Sequence, residues 1–99
     1  MKVVFTRRAE AMLEQIGDYI AQDNPGRALT FIRELRDKAL GLADMPHAFP
    51  LVPRYEPQDV RRRVHGNYLI LYVAREDRIT IIAFAHGAQD YGRFLLPDE

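Results

Sequence analysis

Hydrophobic and polar positions alternate along this chain in two different rhythms, and the change of rhythm divides it. Lys2 to Phe5 is a short β-type run, and Thr6 behind it offers a hydroxyl to cap a helix. Ala9, Leu13, Ile16 and Ile20 then recur at helical spacing, with Met12 and Tyr19 widening the apolar stripe, while Glu10, Glu14, Gln15 and Asp18 fall opposite. Asn24-Pro25 closes this helix and opens another, since asparagine caps and proline suits the first helical position. The second helix carries Ala28, Phe31, Ile32, Leu35, Ala39 and Leu42. So short a break between two amphipathic helices predicts an antiparallel hairpin.

From Met45 to Asp59 the helical rhythm stops. Pro46, Pro50, Pro53 and Pro57 exclude helix and central strand, which leaves a loop with at most one short edge strand around Leu51 to Tyr55. Three strands are predicted next: Val60 to Val64, Tyr68 to Ala74 and Ile79 to Ala85, separated by turns at Gly66-Asn67 and Glu76-Asp77. The last two are apolar on both faces, so both faces should be covered. The helical hairpin covers one; nothing else in the chain is expected to cover the other, which points to a partner or a concave site. The tail from His86 is read as a short helical turn ending at Pro97. The expected architecture is α+β, in the order β-α-α-β-β-β: a small, mostly antiparallel sheet packed on one face by an N-terminal helical hairpin, forming one domain over residues 1–99.

Composition narrows the function. With 47% apolar and 28% charged residues the chain is globular, and no apolar run is long enough for a membrane span or a secretory signal. It has no cysteine, so disulfides and thiolate metal sites are excluded. These features predict a cytoplasmic protein. Fourteen basic residues balance fourteen acidic ones, which argues against general nucleic-acid affinity. Charge is nevertheless clustered at Arg54 and at Arg61, Arg62 and Arg63. Strand alternation places Arg61 and Arg63 on one face and Arg62 on the other, where they could bind nucleic acid or a target protein but more commonly pair with acidic helix faces or dock carboxylates of a partner. His47, His65 and His86 lack the spacing of metal ligands, and no metal or cofactor is expected. His86 with Asp90 is an acid–base candidate, although a turn-stabilising hydrogen bond is the commoner use of such a pair. Tyr68 and Tyr72 share a strand face, placed to stack bases or, more commonly, to pack.

Four segments in order carry a family resemblance: AEAMLEQIGDYIAQDNPGRA, GLADMPHAFP, VRRRVHGNYLILYV and ITIIAFAHGAQDY. Together they resemble the ParE/RelE superfamily of toxins from type II toxin–antitoxin systems, and the ParE branch, the plasmid stabilisation family, more than the RelE branch. The resemblance implies a cognate ParD-like antitoxin whose C-terminal segment wraps the toxin in a hetero-oligomer, with operator DNA met only through the antitoxin. It implies one of two activities. ParE-like members poison DNA gyrase, and RelE-like members cut messenger RNA on the ribosome. A third reading is a toxin-derived scaffold that has lost toxicity. The RNA-cutting pattern has an arginine in the turn after the last strand, where this chain has Gln89, and neutral Gln89 neither stabilises a phosphate nor moves a proton. No catalytic residue is therefore assigned to a gyrase inhibitor; a nuclease would use Arg61, His86 and Gln89. Target binding is expected at Tyr91, Arg93, Phe94 and Leu95, because aromatics with an arginine anchor protein interfaces. Antitoxin binding is expected at Arg54, Arg61, Arg63, Tyr68 and Tyr72.

Overall fold

The computed structural model describes residues 1–87 and Gly92. Strand β1 (Lys2–Phe5) leads into helix α1 (Arg7–Ala21), and helix α2 (Pro25–Gly41) follows. Strands β2 (Val60–His65), β3 (Tyr68–Arg75) and β4 (Arg78–His86) complete the order β-α-α-β-β-β. Both helix starts form as their sequences predict. The Thr6 hydroxyl accepts the Ala9 amide at 3.0 Å, and the Asn24 carbonyl oxygen of the side chain accepts the Arg27 amide at 3.0 Å, with proline opening α2.

The sheet runs β1-β4-β3-β2. β2, β3 and β4 are antiparallel, and β1 adds to the outside of β4 in parallel, Val3 opposite Ile79 and Phe5 opposite Ile81. Beside the Leu71–Tyr72 step β4 carries one extra residue, Ile82, because Leu71 pairs with Ala83 while Tyr72 pairs with Ile81. The bulge reverses the side-chain alternation. Ile79, Ile81 and Phe84 therefore all enter the main core, with Leu13, Leu35, Leu42, Ile70 and Tyr72, between the sheet and the two helices. Ala9, Leu13 and Ile16 of α1 are buried there, whereas Tyr19, expected to widen that stripe, is 66% exposed.

The second sheet face differs from the sequence expectation. Leu71, Ala83 and Ala85 are fully buried on it, in a second cluster with Val52, Val60 and Leu69, against which Tyr55 packs. The proline-rich segment thus folds back and supplies a second layer. It is held by the edge of β2: the Val52 amide donates to Val60 O at 2.8 Å and the Arg62 amide to Pro50 O at 3.1 Å. Pairing is confined to one bridge, Leu51 with Arg61, in place of the edge strand expected over Leu51 to Tyr55. Pro50 and Pro53 have no amide to donate, and Arg54 turns the chain away with φ 75°. Of the tail read from His86, His86 itself ends β4 and Gly87 follows in a turn, while residues 88–91 and 93–99 lie outside the described residues.

Candidate binding surfaces

β2 divides its arginines between the two sides of the sheet, as alternation requires. Arg61 and Arg63 point to the helical side, but the expected carboxylate partners are replaced by backbone carbonyls. Arg61 donates to Phe49 O at 2.7 Å. Arg63 donates to Lys38 O at 3.1 Å and lies over the Phe49 ring, 4.7 Å from its centroid. The end of α2 explains the second contact. The chain tightens into a short 3-10 turn at Leu42–Asp44, so the Leu42 amide turns to Ala39 O and the Lys38 carbonyl accepts from Arg63. A cation at the negative end of a helix is also well placed electrostatically.

Tyr72 has no exposed surface. Its hydroxyl donates to Pro46 O at 3.1 Å, and burial raises its pKa above that of a free tyrosine, partly offset by the charges of Arg61 and Arg63. Of the five residues expected to meet an antitoxin, Tyr72 therefore offers no side-chain surface. Arg54 is exposed but lies apart, at the turn after Pro53, and Arg61 and Arg63 are half-buried.

Tyr68 has a different environment. It is half-buried in an aromatic group with Phe31 (5.5 Å between ring centroids) and His86 (5.2 Å), and His65 lies 5.1 Å from Phe31. Burial raises the Tyr68 pKa, and the neighbouring Tyr19 adds to the rise. With Met12, Gln15, Ile16 and Tyr19, Tyr68 and His86 line a small cleft of about 150 Å³ between α1 and the end of the sheet. Sequence reasoning missed the residue that ties this end together. Glu34 accepts two hydrogen bonds from Arg27 (2.7 and 3.3 Å) and one from His65 Nε2 (2.9 Å). The bond from Arg27, and then that from His65, lowers the Glu34 pKa below the usual carboxylate range. Arg27, Phe31 and Glu34 do recur at helical spacing, and that was the available signal.

A third feature lies on the helical hairpin. Gly17 meets Ile32 so closely that a Cβ there would stand 3.2 Å from Ile32 Cγ1. Along this close approach runs a mostly apolar groove of about 400 Å³, lined by Gly17, Ala21, Pro25, Ala28, Leu29 and Ile32 together with the carboxylate residue Asp18, with Leu29 72% exposed.

The family model described as the ParE toxin of the type II toxin-antitoxin system parDE matches residues 3–91, which covers both helices, all four strands and their connections. The chain belongs to the ParE toxin family. No curated protein sequence matches this ParE-family chain significantly. Its fold is similar to a solved structure titled as the chromosomal ParDE TA system from P. aeruginosa, with a TM-score of 0.74 and 20% identity, over 87% of this chain and 95% of that one. Of the expected target-binding residues, Tyr91 ends the matched region and Arg93, Phe94 and Leu95 lie beyond it; these four, with Gln89 and Asp90, lie outside the described residues. Among the described residues, no helix is long and apolar enough to cross a membrane, and no three histidine or acidic side chains converge as metal ligands.

Proposed function

We propose that this ParE-family chain is a cytoplasmic toxin that inhibits DNA gyrase by binding it, with no covalent step of its own, and that a ParD-like antitoxin neutralises it in a hetero-oligomer. The observation that carries the choice of a binding mechanism is the use made of the arginine strand. A nuclease needs free cations facing its phosphate, whereas here Arg61 and Arg63 are spent on Phe49 O and Lys38 O, inside the fold. Neutral Gln89 supports the same reading. The antitoxin's seat is the hairpin groove: Leu29 stands open beside a glycine-lined apolar channel, the surface that a folding segment of the antitoxin buries. Contact with operator DNA comes through the antitoxin. Tyr91, Arg93, Phe94 and Leu95 are assigned to the target.

The test pairs two assays on the purified toxin. Gyrase-dependent supercoiling of relaxed plasmid is expected to stop, while messenger RNA in a ribosome-dependent translation mixture stays intact. Cleaved messenger RNA with normal supercoiling would establish the nuclease reading, through Arg61, His86 and Gln89. Inactivity in both assays together with antitoxin binding would mark a toxin-derived scaffold.

A further inference from the structure

Strand register places three cations side by side at one end of the sheet. Lys2 pairs with Arg78 across β1 and β4, and Arg78 pairs with Arg75 across β3 and β4. Directly paired residues point to the same face, so Lys2, Arg78 and Arg75 form a row crossing three strands. Alternation puts this row on the face away from the helices, because Ala74, Ile79 and Val3, one step along, pack into the helical core. All three are exposed.

Like charges in direct cross-strand register repel. Arg75 alone has a counter-charge, Asp59 at 3.4 Å, and it also donates to Gln58 O at 3.2 Å. Glu76 and Asp77 occupy the adjoining turn, yet among the described residues no carboxylate lies within ion-pair distance of Lys2 or Arg78. The row borders a concavity of about 500 Å³ whose floor is Val73, Thr80 and Ile82 and whose rim is Arg75 and Arg78 with the turn carboxylates Glu76 and Asp77. The floor is part of a sheet face, with side chains spaced two residues apart along each strand. A phosphate backbone has no use for an apolar floor, and the chain's zero net charge supplies no general attraction for nucleic acid.

We propose that this concavity binds an extended acidic segment of a protein partner, with alternate apolar side chains on Val73, Thr80 and Ile82 and the intervening carboxylates on Lys2, Arg78 and Arg75. It is separate from the arginine strand and from the hairpin groove, and the proposal stands whether or not gyrase is the target. The row is then a surface kept at a cost to the free protein and neutralised on binding.

The probe is a fluorescein-labelled peptide of alternating glutamate and valine, titrated against the full chain by fluorescence anisotropy. A lysine–valine peptide and single-stranded oligothymidine serve as comparison probes. The acidic peptide is expected to bind saturably, to weaken with added salt, and to lose roughly tenfold in affinity or more with the change Arg78→Glu. The same variant is expected to melt at or above the temperature of the parent, since two repulsive pairs become attractive. Failure of the acidic peptide to bind, equal binding by the variant, or tighter binding of oligothymidine through the same cations would overturn the proposal. A lower melting temperature would overturn it as well, because the row would then be neutralised within the fold.

Discussion

Removing Arg63 tests whether the arginine strand holds the fold together. Its guanidinium donates to Lys38 O at the end of α2 and covers the Phe49 ring. A hydrogen bond from a charged donor contributes about 1.5–3 kcal/mol. A partly exposed cation–π contact contributes about 0.5–1 kcal/mol, and a cation at a helix C-terminus about 0.3–1 kcal/mol. One group makes all three, so they do not add in full, and half-burial favours the low end of each; Arg63→Ala should cost about 2 kcal/mol. For a domain of this size that corresponds to a fall of roughly 8–16 °C in melting temperature. The control is the preceding residue. Arg62 lies on the opposite face, so Arg62→Ala should stay within about 0.5 kcal/mol of the parent. Arg63→Lys keeps the charge but loses the planar fork, and should fall between. Circular dichroism melts of the three variants give the comparison. If Arg63→Ala melts with the parent, or no lower than Arg62→Ala, the guanidinium anchors nothing and Arg63 returns to the candidates for partner or phosphate binding.

Thr6→Ala should lower stability by about 1–2 kcal/mol, because the hydroxyl caps α1 and also donates to the bulge carbonyl of Ile82 at 3.1 Å; Thr6→Ser should restore most of the loss in the same denaturant titration. Leu35→Ala, at a fully buried position, should cost about 2–5 kcal/mol and leave little folded protein at 37 °C, read by thermal melting. Glu34 has a lowered pKa in the fold, so its contribution is complete above the ordinary glutamate value, about 4.3, and is lost as pH falls through the folded value. The gap in melting temperature between the parent and Glu34→Gln should therefore be open at neutral pH and close on acidification; a gap that widens in acid contradicts the assignment. Truncation before Tyr91 should remove toxicity while the antitoxin still co-purifies, and loss of both would show that the tail supports the fold.

The helical half of the molecule was legible because its signals are local. Thr6, Asn24 and Pro25 act within one turn of themselves, and the spacing of Ala9, Leu13 and Ile16 identifies the buried stripe. Tyr19 falls outside that stripe in the fold although it adjoins it on the helical wheel. The β half was legible as strands but not as layers. The run of Ile81, Ile82, Ala83 and Phe84 does not disclose which residue is the extra one, since a bulge is set by the partner strand. Val52 and Tyr55 gave no sign of being a second layer, because the proline-rich loop is folded by two backbone hydrogen bonds to β2 that leave no mark in its own composition. At the binding surfaces, alternation correctly separated Arg61 and Arg63 from Arg62. It did not foresee carbonyl partners, which depend on where α2 happens to end. Tyr72, expected at the antitoxin surface, is fully buried, because the helical face it shares with Tyr68 is the covered one.

The parallel pair of β1 and β4 sets when the molecule becomes complete during its own synthesis. β1 is the first strand made, its only neighbour in the sheet is the last, and the Thr6–Ile82 bond spans 76 residues. The helical hairpin is made of near neighbours in sequence and leaves the ribosome first, but the sheet face it packs on does not exist until β4 has followed. For most of the time on the ribosome the chain therefore displays its hairpin without its sheet. An antitoxin that reads the hairpin alone can meet its toxin before the sheet exists; one that needs both layers must wait until β4 has been made.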